Sequence, residues 1–241
     1  MSIYRREQSD DEQWAPVSDL MAVIMLVFML ITLILLTHFD LERRSNAEQC
    51  AQIRSMLDVE FGDNFREWGA ELDDDLTIRF TSQTVLFDAN KATPHDWFKD
   101  KIEKFFPRYM NIVDNIGEQY GENEVVAVRI EGHTSSEYEG SESVEEAYMK
   151  NMELSQDRAH AILLVALKLP ESKQYSDVFR QRGRADGLSS SKLICAEDGK
   201  ENRTSSRRVE FKLLAQSCQK AGVYDKVKPL SYTCPTEGFH D

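Results

Sequence analysis

Between Leu20 and Leu36 the chain reads LMAVIMLVFMLITLILL, 17 residues with no charge and a single hydroxyl, Thr32. At 1.5 Å rise per residue, about 20 residues cross a hydrocarbon layer of about 30 Å. Val17 to Asp19 ahead and Thr37 to Phe39 behind complete that length. Residues 16–38 are therefore expected to form one transmembrane helix. AILLVALKL, at 161–169, is shorter, carries Lys168 and runs into Pro170, so it reads as a buried helix of a soluble domain. The apolar run ends in THFDLERRS, which offers no small-residue cleavage site, and Arg5 and Arg6 are mixed with Glu7, Asp10, Asp11 and Glu12. These flanks suit a retained anchor rather than a cleaved leader.

The remaining composition is that of a folded, acidic chain. Its 241 residues carry 29 Lys and Arg against 42 Asp and Glu, a formal net charge of −13. Phosphate backbones need a clustered cationic face, so nucleic acid is not an expected partner. The 10% aromatic content is enough to build a core, which excludes a wholly disordered chain. The mean hydropathy of −0.49 conceals the uneven placement of the apolar residues.

Basic residues near the span do not orient it, because Arg5 and Arg6 ahead are matched by Arg43 and Arg44 behind. The cysteines are more informative. Cys50, Cys195, Cys218 and Cys234 all follow the span, and an even number suits disulfides in an oxidising compartment. Three connectivities are open, of which Cys218 with Cys234 closes the shortest loop. The alternative is four buried thiols in a reducing cytosol. The expected topology is an N-terminus in the cytoplasm and the bulk of the chain outside it.

Asp19 lies directly before the apolar run. A carboxylate at the edge of hydrocarbon is costly unless it faces a partner or a water-filled path, and burial there favours its protonated form. Such a group can take up and release an ion, and a membrane potential acts on its charge with about 2.3 kcal/mol per 100 mV. The plain alternative is a helix N-cap or a headgroup-level residue, with Ser18 as a competing cap, Trp14 as an interfacial anchor and Pro16 in the first turn.

Downstream, the spacing of Ile53, Met56, Leu57 and Phe61 is helical, and residues 39–72 read as a linker helix that could pair with its own copy. Leu76 to Phe80 alternates as a strand after the break at Asp73 to Asp75. Pro94 is placed to open a helix that Pro107 should kink or divide. Val125 to Ile130 is the clearest strand. A long helix runs from about Glu142 to Leu169, and a short one lies near Ser176 to Gln181. Residues 183–206 read as loop, and Arg208 to Leu213 as a final strand. The fold class is α/β (α+β), with helices packed on one mixed sheet. The expected divisions are a tail at 1–15, the span, the linker, a domain over 73–216 and a tail at 217–241 pinned by cysteine.

Enzyme chemistry is not expected. C-x-x-C, H-E-x-x-H, P-loop, G-x-G-x-x-G and G-x-S-x-G patterns are absent, and the five His at 38, 95, 133, 160 and 240 are scattered. No metal or cofactor is expected, and His133 reads as a hydrogen-bonding turn residue.

Four blocks in order carry a resemblance: Val85 to Asp88, Ile130-Glu131-Gly132-His133-Thr134, Asn151 to Ala159 as N-x-x-L-S-x-x-R-A, and Arg207-Arg208-Val209-Glu210. Together they resemble the OmpA-like peptidoglycan-binding domain over roughly residues 76–215. The resemblance implies a wall-binding pocket of Asn151, Leu154, Arg158, Thr134 and Ser135. Arg158 would fork onto a stem-peptide carboxylate, Asn151 would add amide hydrogen bonds two turns back on the same face, and Leu154 would wall the pocket. The competing reading pairs Arg158 with Glu153 or Asp157. The chain departs from the family at Ser135, where G-H-T-D has Asp, and at Ser206, where N-R-R-V has Asn.

One span with an Asp ahead of such a domain is similar to the MotB-like stator subunits, and Trp14 to Met21 is more similar to those of the Zorya anti-phage systems than to flagellar ones. That resemblance implies a dimer whose spans sit inside a MotA-like ZorA pentamer, with Asp19 carrying the ion, proton or sodium. It also implies anchoring to peptidoglycan and an indirect link to cytoplasmic effectors.

Overall fold

In the computed structural model, residues 11–81, 86–226 and 234 are described, with side chains from residue 19 onward in the first helix. Val85, the N-terminal ten residues and most of the C-terminal tail lie outside them. The chain divides into two units, 1–45 and 46–241.

Helix α1, Asp11–Trp68, runs through both units. In the first unit every described residue from Asp19 to Ser45 is exposed, and an apolar helix uncovered on all sides is one that lipid would cover. Asp19 is the ninth residue of α1, so the structure removes the N-cap reading; Pro16 lies beyond the first turn.

In the second unit the residues read as a linker are part of the domain. Cys50, Ile53, Leu57, Phe61 and Trp68 of α1 are buried in its core, whereas Leu41 is exposed. The 53/57/61 stripe therefore faces the domain's own core rather than being left over for a second copy. The stripe packs on α2, Asp96–Tyr120, where the Phe61 and Phe105 rings are 4.9 Å apart. Ion pairs flank it: Arg108 Nε donates to Glu60 at 2.6 Å and Lys101 Nζ to Glu67 at 2.7 Å.

Five strands form one sheet: β1 Ala70–Leu72, β2 Thr77–Phe80, β3 Val125–Gly132, β4 Gly183–Gly187 and β5 Val209–Ala215, in the order β1-β2-β5-β3-β4. All neighbours are antiparallel except β3 and β4. The fold class is the mixed α/β arrangement expected. α2 and α3, Val144–Lys168, pack with the sheet around Phe80, Phe105, Phe106, Ile130, Ile162 and Phe211. Ser143 caps α3 by accepting the Glu146 amide, while Glu146 accepts the Glu142 amide, so two orphan amides are satisfied within one turn. Pro170 opens a 3₁₀ turn to Tyr175, followed by α4 Ser176–Arg182. Short helices α5 Arg203–Ser206, α6 Gln216–Lys220 and α7 Val223–Lys226 complete the chain order.

Several expectations are corrected. Pro94 does not open α2 but pairs with Phe87 in an isolated bridge, and the helix starts at Asp96. Pro107 lies inside α2 without dividing it. Part of the loop read over 183–206 is strand β4. The disulfides are Cys50–Cys218 and Cys195–Cys234, not Cys218–Cys234. Sequence proximity favoured the short loop, but the buried Cys50 of α1 lies against α6 with its Cα 4.9 Å from that of Cys218. Cys234 instead joins Cys195 and Leu193 in a small separate core.

Candidate functional site

The N-x-x-L-S-x-x-R-A block forms the middle of α3, so Asn151, Leu154, Ser155 and Arg158 fall along one stripe. Gly132 at the end of β3 permits this stripe to approach the sheet, because a Cβ there would stand 2.3 Å from the Ser155 carbonyl oxygen. The helix is thereby pressed against the loops that follow β3 and β4. Ser155 Oγ accepts the Ser189 amide at 2.9 Å, and the Thr134 amide donates to the Ser189 carbonyl at 2.9 Å.

Arg158 is 6% exposed and has no carboxylate partner among the described residues. Its Nε donates to the Lys91 carbonyl at 3.0 Å, its Nη2 donates to the Asp88 carbonyl at 3.2 Å, and the guanidinium lies 4.9 Å from the Phe87 ring centre. The pairing with Glu153 or Asp157 does not occur. Burial, with Arg207 adding repulsion, pushes the Arg158 pKa down to about 10, which still leaves the group charged at neutral pH. A buried cation held by neutral carbonyls retains much of its attraction for an anion.

Asn151 is 2% exposed, and its amide nitrogen donates to the carbonyls of Ser135 and Glu137 at 3.1 and 3.2 Å. It shapes the pocket loop with the donors that the sequence reading assigned to ligand. Leu154 is half-buried between these two residues. Thr134 and Ser135 are buried; the Thr134 hydroxyl has no hydrogen-bond partner among the described residues, and the Ser135 hydroxyl lies 3.5 Å from the Glu137 carbonyl. Asn90 and Glu139, 3.5 Å apart, join the 88–91 loop to the 135–139 loop. Asn151 thus meets the 135–137 segment and Arg158 the 88–91 loop, with Leu154 between them in sequence on α3. Ser206, which stands for Asn in the family pattern, is fully buried and accepts the Ile194 amide at 2.9 Å, tying down the 193–203 loop.

Sequence reasoning missed Phe87 as the ring beside Arg158, although it lay in a quoted block. It also missed a buried charge network beside the pocket. Glu210 accepts from Arg208 Nε at 2.6 Å and from Arg79 Nε at 3.1 Å, and Arg79 also pairs with Glu71 and Asp73. Burial alone would raise the Glu210 pKa, but the guanidinium groups of Arg208 and Arg79 hold its carboxyl well below the usual range. Burial drives the His133 pKa down, so its imidazole is neutral at physiological pH. Neither ring nitrogen has a hydrogen-bond partner among the described residues, so His133 bonds through its backbone amide, which donates to the Arg208 carbonyl, and not through its ring. An open cleft of about 1140 Å³ lies apart from Arg158, between the 136–144 and 193–203 loops. Glu137, Glu139, Glu142, Asp198 and Glu201 outnumber Lys200 and Arg203 along it.

An apolar helix long enough to cross a membrane, followed by a mixed-sheet α/β domain with this α3 stripe, is the class of protein that the fold defines. No family model matches the chain. It is 34% identical over 220 residues to the Zorya protein ZorB of Escherichia coli, covering 88% of this chain and 92% of that one. The chain belongs to the ZorB family of Zorya proteins. Among solved structures it is similar to a MotB-like protein from Desulfovibrio vulgaris (22% identity, TM-score 0.46, 72% of this chain and 96% of that one). It is also similar to the cell wall anchor of the type VI secretion system from Pseudomonas aeruginosa (18%, 0.45, 66% and 97%). The periplasmic domain of Helicobacter pylori MotB gives 18%, 0.40, 65% and 94%.

Proposed function

We propose that this chain is the MotB-like subunit of an inner-membrane, proton-driven rotary motor used in anti-phage defence. Its span, 16–38, carries the ion at Asp19, and its domain anchors the complex to peptidoglycan. The observation that carries the reading is a titratable residue within α1, directly before its uncharged apolar run Leu20 to Leu36, in a chain of the ZorB family. A single span cannot enclose an ion path, so the motor requires a MotA-like partner, the ZorA pentamer, around two copies of this chain. The N-terminus lies in the cytoplasm and the domain in the periplasm, a placement supported by the two disulfides. Arg158 binds a stem-peptide carboxylate, and Asn151, Leu154, Thr134 and Ser135 form the pocket around it. The role is mechanical, with cytoplasmic effectors reached indirectly.

The test is Asp19→Asn in the full operon, with phage-plating efficiency and assembly of the complex measured side by side. Asn keeps the size and removes the titratable charge. Lost protection with an intact complex supports ion transfer. Retained protection leaves a passive tether between membrane and wall.

A further inference from the structure

We propose that Glu131, His133 and Glu210 form a binding site for one zinc-class divalent metal ion between β3 and β5. The site is built by register rather than by sequence spacing. Glu131 of β3 stands directly opposite Glu210 of β5. His133 follows Glu131 by two residues, so its side chain falls on the same face. Its backbone amide donates to the Arg208 carbonyl at 3.0 Å, which carries the pairing past the strand end.

All three residues are buried, at 3%, 1% and 4% exposure. Two carboxylates placed opposite each other and away from water repel strongly unless a cation lies between them. The ring nitrogen Nε2 of His133 is 3.5 Å from Glu210 Oε2 and 3.8 Å from Glu131 Oε2. One ligand atom from each residue lies within 4.8 Å of the others. Zinc bonds of about 2.0–2.2 Å in a tetrahedron separate ligand atoms by roughly 3.3–3.6 Å, so a small contraction closes the set. Glu131 Oε2 and both nitrogens of His133 have no hydrogen-bond partner among the described residues, and buried polar atoms of that kind require a partner.

The surroundings fit a metal bound by one nitrogen and two oxygens. Arg208 and Arg79 both engage Oε1 of Glu210, leaving Oε2 for the ion, as outer partners of ligating carboxylates do. The charge of Arg79 is shared with Glu71 and Asp73. Lys192 Nζ lies 3.5 Å from Glu131 Oε2, but its side chain is 47% exposed and can withdraw into solvent. Arg129 reaches only the other oxygen of Glu131, at 4.0 Å. Calcium is disfavoured, since it takes six to eight oxygen ligands, whereas a mixed imidazole and carboxylate set suits zinc or cobalt. A water completes the fourth position. The ion would pin the start of the 133–135 segment, whose far end is held by Asn151.

The test uses the full chain in detergent, stripped with chelator and titrated with cobalt chloride and with zinc chloride. The expected result is one cobalt per chain with the visible absorption of a tetrahedral site, displaced by zinc. Zinc should also raise the unfolding midpoint by several degrees. His133→Gln and Glu131→Gln should each weaken binding by at least about a hundredfold and abolish the zinc-dependent rise. Wild-type protein without a tetrahedral cobalt band overturns the proposal, whatever the variants do. Zinc binding of equal strength in a folded His133→Gln protein also overturns it, since exposed carboxylates would then be the ligands.

Discussion

Arg158 donates its Nε to the backbone carbonyl of Lys91 at 3.0 Å, and this relationship separates two properties of the residue. One face of the guanidinium supports the 88–91 loop, and the group retains its charge for a ligand. Arg158→Ala should therefore lose both, leaving two carbonyls without their donor at a cost of about 1–3 kcal/mol. Arg158→Lys keeps charge but loses the planar fork. The lysine variant should fold, as judged by circular dichroism and urea unfolding, yet fail to sediment with purified sacculi. Wild-type sedimentation by a folded Arg158→Lys protein would remove Arg158 from the wall contact.

The two disulfides make unequal predictions. Cys50–Cys218 spans 168 residues and ties α1 to the end of the sheet domain, whereas Cys195–Cys234 spans 39 and serves a small satellite core. Removing a native disulfide from a small domain costs about 2–5 kcal/mol, and chain entropy makes the longer loop worth about 1 kcal/mol more. Cys50→Ala with Cys218→Ala should thus lower urea stability more than Cys195→Ala with Cys234→Ala. Peptide mapping without reductant should recover the 50–218 and 195–234 pairs. A 218–234 peptide would contradict the pairing.

The legible parts of the fold were those with local signals. β3 was visible from its run of β-branched residues, and α3 from its period and its stop at Pro170, while its Ser143 cap emerged only in the structure. β4 was not, because Gly-Arg-Ala-Asp-Gly has almost no strand propensity and is held by its neighbours. The pocket residues were legible as a block, but not their division of labour. Asn151 turns its donors toward two loop carbonyls supplied from residues 14 and 16 positions away. The Glu131, His133 and Glu210 cluster was hidden because strand register, not spacing, assembles it.

β4 suggests a sharp test of how the sheet edge is closed. Its last residue, Gly187, donates its amide to Gln156 Oε1 at 2.8 Å, while Gln156 Nε2 donates to the Ala185 carbonyl at 3.0 Å. A Cβ on Gly187 would stand 2.3 Å from the Gln156 amide nitrogen, and helix backbone cannot yield as a flexible side chain can. Gly187→Ala should cost about 1–3 kcal/mol by overpacking, and it should speed amide exchange in β4 before β5. Unchanged stability would show that α3 can lift away from the edge.

Tyr224 gives the alkaline limit of the domain. Its hydroxyl donates to the Leu213 carbonyl at 3.0 Å and accepts the Ala215 amide at 2.8 Å, fastening α7 to β5. Burial, with Asp75 and Glu124 adding repulsion, pushes its pKa up to about 12 against an ordinary value of 10.0, although the Ala215 amide pulls the other way. A raised folded-state value means that the neutral phenol is the form favoured by folding. Its contribution is therefore complete below pH 10 and is lost as pH rises toward 12. Two pH units correspond to about 2–3 kcal/mol. Tyr224→Phe should be less stable than wild type at neutral pH, because the Ala215 amide loses its acceptor, and the gap should narrow between pH 10 and 12. Absorbance at tyrosinate wavelengths should show a late-titrating phenol in wild type that is absent from the variant. Stability curves for the two proteins that stay parallel through this window would mean that solvent reaches the Tyr224 hydroxyl in the folded domain.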